Sequence, residues 1–532
     1  MTDEEDLRRR IGQLLVFGFD GLTVPEYVAD LIRTHYLGNI ILFSRNVSTK
    51  EQLSALTDHL QSLAQESGQE MPLTISADQE NGIVRRLPED IPVFPGNMAL
   101  GATHSPEDVY RSGVLTGRLL ANLGINFDLA PVLDVNNNPA NPVIGVRSLG
   151  DVAETVAELG VRFMQGLQSQ GIIACGKHFP GHGDTNVDSH LDLPSIAHDR
   201  LRLESVELVP FKAAIQAGID SIMTAHVVFP AVEPEKIPAT LSYRVLTSLL
   251  RYELGFAGVL TTDCLEMNAI SATVGIGAGA VQALRAGADM VMVSHHLDRQ
   301  LAAIDAIVSA VRQGDLAEAR IEEAYQRVQA LKAKRLGATA REEWAPLLQA
   351  AKAVQVDLSQ HAVTALRLTP AAQPTKDSLE KIAVLVDETT PLMAAAGGGG
   401  HHPLIKDALA TVFPGLEVQE FLFPSVFDCQ SEEQLSALLA QYDAVLAGIN
   451  GTRNTRYLEF VKELAARPIR QATLLLRSPY DALHVKDAPN LYALYEDTPW
   501  MAEAAIRSLF GEGAQGRLPV HISEDFPRGY RV

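Results

Sequence analysis

Cysteine is scarce in this chain: Cys175, Cys264 and Cys429 are the only three, too few and too scattered for a disulfide framework, and no C-x-x-C pair marks a structural zinc. Reduced thiols are the simple reading. Long apolar runs are missing too, since no stretch of about 18 uncharged apolar residues is present to span a bilayer. The beginning, MTDEEDLRRRIGQLLVF, is acidic and has no small-residue cleavage site after its apolar run. A cytoplasmic protein with no membrane partner is the expectation. Positive charge is in deficit, with 44 Lys and Arg against 65 Asp and Glu and a formal net charge of −21. Such a surface repels phosphate backbones, and no Lys/Arg run interleaved with aromatics offsets it locally, so nucleic acid is not an expected partner.

At 532 residues the chain exceeds what one hydrophobic core organises, and its 46% apolar and 20% charged content is that of a globular protein. Two folded domains are expected. In the first 300 residues the short apolar runs LLVFGF, NIILF, PLTISAD, INFDLAP, IIACGKH, SIMTAHV, GVLTTD and MVMVS alternate with amphipathic segments of helix length. Eight parallel strands joined by right-handed helical crossovers close into a (β/α)8 barrel of the TIM type, which leaves no unpaired edge. PEDVYRSGVLTGRLLANLG and DVAETVAELGVRFMQGLQSQG carry apolar residues at helical spacing and each ends at a glycine suited to a left-handed cap.

The pattern then shifts to long helical stretches and a linker-like TPAAQPTKDS. Beyond it, KIAVLVD, DAVLAGIN, ATLLLRS and LYALYED alternate with helices, the mark of a small doubly wound sheet. The expected division is a catalytic α/β barrel over 1–335, a helical linker over 336–375 and a C-terminal αβα sandwich over 376–532.

In such barrels chemistry sits at the C-terminal ends of the strands, where Asp78, Lys177, His178, His226 and Asp263 all fall. The stretch KHFPGHGDTNVDSHLDLP, Lys177 to Pro194, is too rich in Gly, Pro and Asp to be regular structure and reads as an active-site loop. Within it Asp188 stands two residues before His190, on the same face of an extended segment. A hydrogen bond between them would fix the ring's tautomer and favour its protonated form, giving a general acid near neutral pH. The plainer alternative is an Asp capping a turn beside a solvated His. Asp263, in GVLTTDCLEMNAI, ends an apolar strand where a carboxylate has no packing role, so it is a candidate nucleophile; a helix N-cap is the equal alternative, with Glu266 assigned to that helix. Asp78, in ISADQENGIVRRL, with Arg86 could bind vicinal hydroxyls through charge-assisted bonds, or pair with it to close the loop. Asp134, Arg147 and His226 lie on loops expected at the same rim.

These segments, with FDLAPVLDVN, PVIGVRS, LRYELGFAGVLTTDCLEM and GRLPVHI, resemble glycoside hydrolase family 3, and within it the bacterial β-N-acetylglucosaminidases of the NagZ type in their two-domain form. The resemblance implies a retaining double displacement in which Asp263 attacks the anomeric carbon and His190, paired with Asp188, serves as acid and base. It implies that Asp78, Arg86, Arg147, Lys177 and His178 hold the N-acetylglucosamine, with His226 expected in the same substrate-binding set. It further implies peptidoglycan or chitin fragments as substrates (a muropeptide or small oligosaccharide), with no cofactor and no metal. Two departures stand out: Asn81 and Ile83 replace the frequent glycine and arginine, and TTDCLEM lacks the second acidic residue that often adjoins the nucleophile.

Rival readings remain. A metal-dependent hydrolase would use His178, His182, Asp184, Asp188 and His190, but Pro180 and the flanking glycines keep His178 and His182 from being one helical turn apart. Substrate-assisted hydrolysis lacks its D-x-x-D-x-D-x-E string. A histidine acid/base leaves room for an anionic acceptor, hence a β-GlcNAc phosphorylase, and a sugar-binding paralogue without catalysis is the alternative of another class. The second domain's AAAGGGGHHP has no G-x-x-x-x-G-K-[ST] pattern and reads as a loop.

Overall fold

The structure is a computed structural model that describes residues 3–186, 193–337, 341–375, 379–387, 403–423, 437, 439–451 and 454–532. Eight parallel strands close a barrel in chain order: β1 (Leu15–Phe17), β2 (Asn39–Leu42), β3 (Thr74–Ala77), β4 (Phe127–Asp128), β5 (Ile173–Phe179), β6 (Ser221–Thr224), β7 (Val259–Cys264) and β8 (Met290–Val293). β8 returns to β1 in parallel register, with Val16 opposite Met292. Nearly every strand residue is buried, because one face fills the barrel and the other meets the surrounding helices; that is why the strands read as continuous apolar runs rather than alternating ones.

Local chemistry sets the helix ends. Thr49 Oγ1 accepts from Gln52 N (3.2 Å) to start Lys50–Glu66, and Ser105 Oγ accepts from Asp108 N (3.2 Å), with Pro106 in the first turn, to start Pro106–Asn122. The helices expected to stop at glycine do so: Gly124 and Gly171 follow Pro106–Asn122 and Ala153–Ser169 with φ of +77° and +79°. β4 is short because Pro131, which follows it closely, has no N–H for the ladder. β5 and β7 each break register near their ends, between Gly176 and Phe179 and between Thr261 and Cys264. Such irregularities re-aim side chains, and these two carry Lys177, His178 and Asp263.

The second sheet has six strands in the order β11-β10-β12-β13-β14-β9, namely β9 (Thr364–Arg367), β10 (Lys381–Asp387), β11 (Glu417–Phe423), β12 (Ala444–Ile449), β13 (Gln471–Leu475) and β14 (Leu491–Ala493). It is mixed: β9 runs antiparallel to β14, the other pairs are parallel. The stretch read as a helical linker thus holds the helix Trp344–Ala362 and then an edge strand of this sheet. β11 also escaped the sequence reading, since EVQEFLF is a partly exposed edge strand with charged residues in it.

The two units are fused. Met98, Ala99 and Ala102, on the short helix Asn97–Ala102 that follows β3, are buried in the second core beside Leu494, Tyr495 and Met501. The helix Trp344–Ala362 bridges them, with Leu347, Ala351 and Leu358 in the barrel core and Ala362 in the other; on it, Gln355 Nε2 donates to Val93 O at 2.5 Å. Among the described residues no helix is long and apolar enough to cross a membrane.

Candidate active site

A cavity of about 510 Å³ opens at the C-terminal ends of the barrel strands and is lined by Asp78, Glu80, Arg86, Arg147, Lys177, His178 and Asp263 among others. Its floor is a chain of alternating charges. Lys177, 1% exposed, places Nζ 2.6 Å from Asp78 Oδ1 and 2.6 Å from Glu80 Oε1. Arg147 grips the same Glu80 with two bonds, Nη2 to Oε1 at 2.7 Å and Nε to Oε2 at 2.9 Å. Burial alone would push each of these groups toward its neutral form, but the neighbours win: Arg147 and Lys177 hold the Glu80 carboxyl well below its ordinary value, and the carboxylates hold Lys177 and Arg147 above theirs. Glu80, Lys177 and Arg147 are therefore all charged at neutral pH, with Asp78 the more open end of the chain.

Glu80 was not among the expected site residues. Its signal was electrostatic: Arg147 and Lys177 are two cations sent to one buried place, and Asp78 alone leaves one of them without a counter-charge. Asp128, ending β4 beneath the floor, is pushed well up by burial, with Asp78 and Glu80 adding to the shift.

Asp134 lies below the rim where it was expected, fully buried. Its Oδ2 is 2.7 Å from His178 Nδ1, and its Oδ1 accepts from His182 N at 2.7 Å. The first contact keeps the proton on Nδ1 and sets the ring's orientation in the cavity wall. The His178 ring thus lines the cavity. His182 is drawn down to about 4 by burial and by His178, so it is neutral at physiological pH. The loop base is tightly seated: a Cβ on Gly183 would stand 1.8 Å from Val135 O. Asp188 and His190 lie outside the described residues, as does Cys429.

Asp263 stands in β7 on the cavity wall, where its Oδ1 accepts from Cys264 N at 2.7 Å. The N-cap alternative is not met, because the next helix, Asn268–Ser271, is capped at Met267. Glu266 likewise stays outside that helix and ties the β7 and β8 loops, with Oε1 2.6 Å from His296 Nδ1 and Oε2 accepting from His295 N at 2.6 Å. His226 is placed differently from expectation. It is buried outside the cavity lining, with Nε2 donating to Cys264 O at 2.9 Å and Nδ1 2.7 Å from Thr240 Oγ1. The ring braces the backbone beside Asp263.

The loop after β3 is closed by Gln79, whose Oε1 accepts from Arg86 N (2.7 Å) and Leu87 N (3.2 Å). Arg86 lines the cavity while Asp78 pairs with Lys177. Asn81, one of the two departures, has φ of +69°, a conformation that glycine takes freely and asparagine tolerates. As for metals, His178 and His182 are committed to Asp134 and Thr185, and Asp184 to His198. Cys264, Glu266 and His295 place ligand atoms within 4.8 Å of one another, but Glu266 is already engaged as described.

Residues 6–331 match the model of the glycosyl hydrolase family 3 N-terminal domain. The chain is 41% identical over 286 residues to beta-hexosaminidase A of Pseudoalteromonas piscicida, covering 51% of this chain and 48% of that one, so it spans about half the length of that relative. It is 35% identical over 288 residues to a beta-hexosaminidase of Alkalilimnicola ehrlichii, covering 53% of this chain and 80% of the relative. Among solved structures, a glycoside hydrolase family 3 beta-N-acetylglucosaminidase from a Paenibacillus species superposes with a TM-score of 0.88 at 38% identity, over 97% of this chain and 99% of that one.

Proposed function

This chain belongs to glycosyl hydrolase family 3, and from that premise we propose that it is a retaining exo-β-N-acetylglucosaminidase that removes terminal β-GlcNAc from peptidoglycan or chitin fragments. The observation that carries the reading is the gathering of Asp263 and the ion-paired floor Asp78–Lys177–Glu80–Arg147 around one cavity. The names of the similar proteins, beta-hexosaminidase and beta-N-acetylglucosaminidase, support the sugar.

In this reading Asp78, Lys177 and Arg147 hold the hydroxyls of the terminal sugar through charge-assisted bonds, with Arg86 and His178 on the flanks. Their charges are already ordered by one another, so binding does not have to assemble them. Asp263 attacks the anomeric carbon as the glycosidic bond breaks, and a proton passes to the leaving oxygen from His190, oriented by Asp188. Water then attacks the glycosyl-enzyme with His190 as base, and the two inversions preserve the β configuration. His226 takes no contact with the sugar here; it fixes the Cys264 carbonyl and so the direction of Asp263.

Time-resolved product analysis with p-nitrophenyl β-GlcNAc tests the reading, run in water and in phosphate. Release of β-GlcNAc by the wild type is expected, with Asp263→Ala losing about 10⁴-fold or more of kcat. His190→Ala should suffer most on poor leaving groups. GlcNAc-1-phosphate formed in phosphate would make the protein a phosphorylase. Tight GlcNAc binding with no turnover would make it a sugar-binding protein.

A further inference from the structure

We infer that Glu496, contributed by the second domain, is a positioning residue for the sugar cavity of the barrel; this rests on the functional reading above. Glu496 follows β14 and is 2% exposed. Its Oε2 accepts from Gly96 N at 2.6 Å, across the seam between the domains. Its Oε1 accepts from Thr498 Oγ1 at 2.8 Å and Trp500 Nε1 at 2.7 Å, which hold the carboxylate from its own side.

What Glu496 touches is the back of the loop that supplies Asp78, Glu80 and Arg86. A Cβ on Gly82 would stand 2.4 Å from Glu496 Oε2 and 2.6 Å from Gly96 Cα, and one on Gly96 2.8 Å from Oε2, so the carboxylate sits hard against both positions. The loop is pinned again by Arg85, which donates to Gly82 O (2.8 Å) while its guanidinium stands 5.4 Å from the centre of the Trp500 ring.

From Gly96 the path to the floor is one residue long. Asn97 begins the next helix, and its Nδ2 donates to Arg147 O at 2.6 Å. Arg147 is the group that grips Glu80. A small void joins the same parts directly, with Glu496 and Tyr495 on one wall and Glu80, Asn97 and Arg147 on the other. Through Gly96 and Asn97, a carboxylate that touches no sugar sets the height of both the β3 loop and the Arg147 segment. Asp263 lies across the cavity on β7, where none of these contacts reaches.

This separation decides the test. Full-length wild type, Glu496→Ala, Glu496→Asp, Glu496→Gln and Arg528→Ala are compared by steady-state kinetics on p-nitrophenyl β-GlcNAc, with thermal unfolding in parallel. Glu496→Ala is expected to lower kcat/KM by about 10- to 100-fold, with most of the loss in KM, since the sugar's holders shift and the nucleophile does not. Glu496→Asp, which withdraws from Gly96 but keeps the charge, is expected to raise KM too and carries the test if the alanine variant does not fold. Glu496→Gln has the length to accept from Gly96 and should keep KM near wild type. Arg528→Ala breaks another contact across the seam, Arg528 Nε to Asp151 Oδ1 at 2.7 Å, and should leave both constants unchanged. A wild-type KM in folded Glu496→Ala or Glu496→Asp makes Glu496 a structural contact only and ends the inference. A wild type inactive on this substrate instead removes the functional reading, and the inference with it.

Discussion

On the cavity floor Glu80 and Asp134 are buried and yet held below their ordinary range, whereas near the seam between the domains Glu496 and Asp481 are also buried and are pushed up to about 7. Desolvation is the largest cause in all four, so burial does not separate them. Partners do. Glu80 has a lysine and an arginine whose positive charges reward ionisation, and Asp134 has the His178 ring and the His182 N–H turned toward it. Glu496 is satisfied mainly by neutral donors and Asp481 by Gly451 N at 3.1 Å, with Arg85 the charged group that draws Glu496 down and only as its smallest influence. A hydrogen bond orients a buried carboxyl; a cation is needed to keep it charged there. The floor spends charge on grip, and the seam uses a carboxyl for geometry.

The strongest way to break this contrast is to strip the floor of its central anion. Glu80→Gln leaves Lys177 with Asp78 and takes from Arg147 the carboxylate that it grips with two bonds, and the expected loss is about 3–5 kcal/mol of stability. Urea unfolding measures it, and GlcNAc release should fall with it. A glutamine at 80 as stable as wild type would mean that the floor cations are neutralised by other groups.

pH separates the two regions by sign. Glu80 and Asp134 have folded values below their unfolded ones, so their contribution is present above about pH 4–5 and is lost as pH falls from there. Glu496 has the reverse arrangement: the native state retains a proton that the unfolded chain releases between 4.5 and about 7. Its stabilising effect is complete below that window and is lost as pH rises through it, by about 3 kcal/mol if it acts alone. The measurement is the pH dependence of urea unfolding in wild type and Glu496→Gln. The variant should lose the decline between pH 5 and 7 and keep the acid-side fall. An identical decline in both would place its source elsewhere, Asp481 first.

The barrel was legible because each of its eight strands is a doubly buried apolar run, and because Asp78, Lys177, His178 and Asp263 fall where such strands end. The residues that the sequence reading missed or misplaced act through partners far along the chain. Glu80 meets Arg147 67 residues away and Glu496 meets Gly96 400 residues away, and neither distance leaves a local pattern. His226 follows a strand end, the place of a binding group, and only the positions of Thr240 and the Cys264 carbonyl, far from it in sequence, turn its ring toward β7. β11 leaves a weak signal because its edge carries charged residues that protect it from further pairing, and β9 because TALR follows the helix Trp344–Ala362 with no polar break.

His226 offers a smaller way to sharpen the contrast, on the nucleophile's side of the cavity. His226→Ala removes the donor to Cys264 O and should release the end of β7. kcat is expected to fall about tenfold or more with KM less affected, the opposite split from Glu496→Ala. Equal losses in KM from both variants would show that the two walls of the cavity move together.

The smallest expected effect comes from a pair that copies the floor's chemistry without its burial. Arg118 holds Glu342 with two bonds, Nε to Oε1 at 2.8 Å and Nη2 to Oε2 at 2.5 Å, nearly the geometry of Arg147 on Glu80. Both side chains are reached by water, at 28% and 43% exposure against 6% and 2% for the floor pair. Solvent screens the attraction and also re-solvates whichever partner is left, so Arg118→Ala should cost no more than about 1 kcal/mol in unfolding and nothing in kcat/KM. If it costs as much as Glu80→Gln, the two-bond geometry and not the burial is what makes the floor pair strong. A small value assigns the difference to dehydration, which is the same cause that lifts Glu496 when no cation touches it.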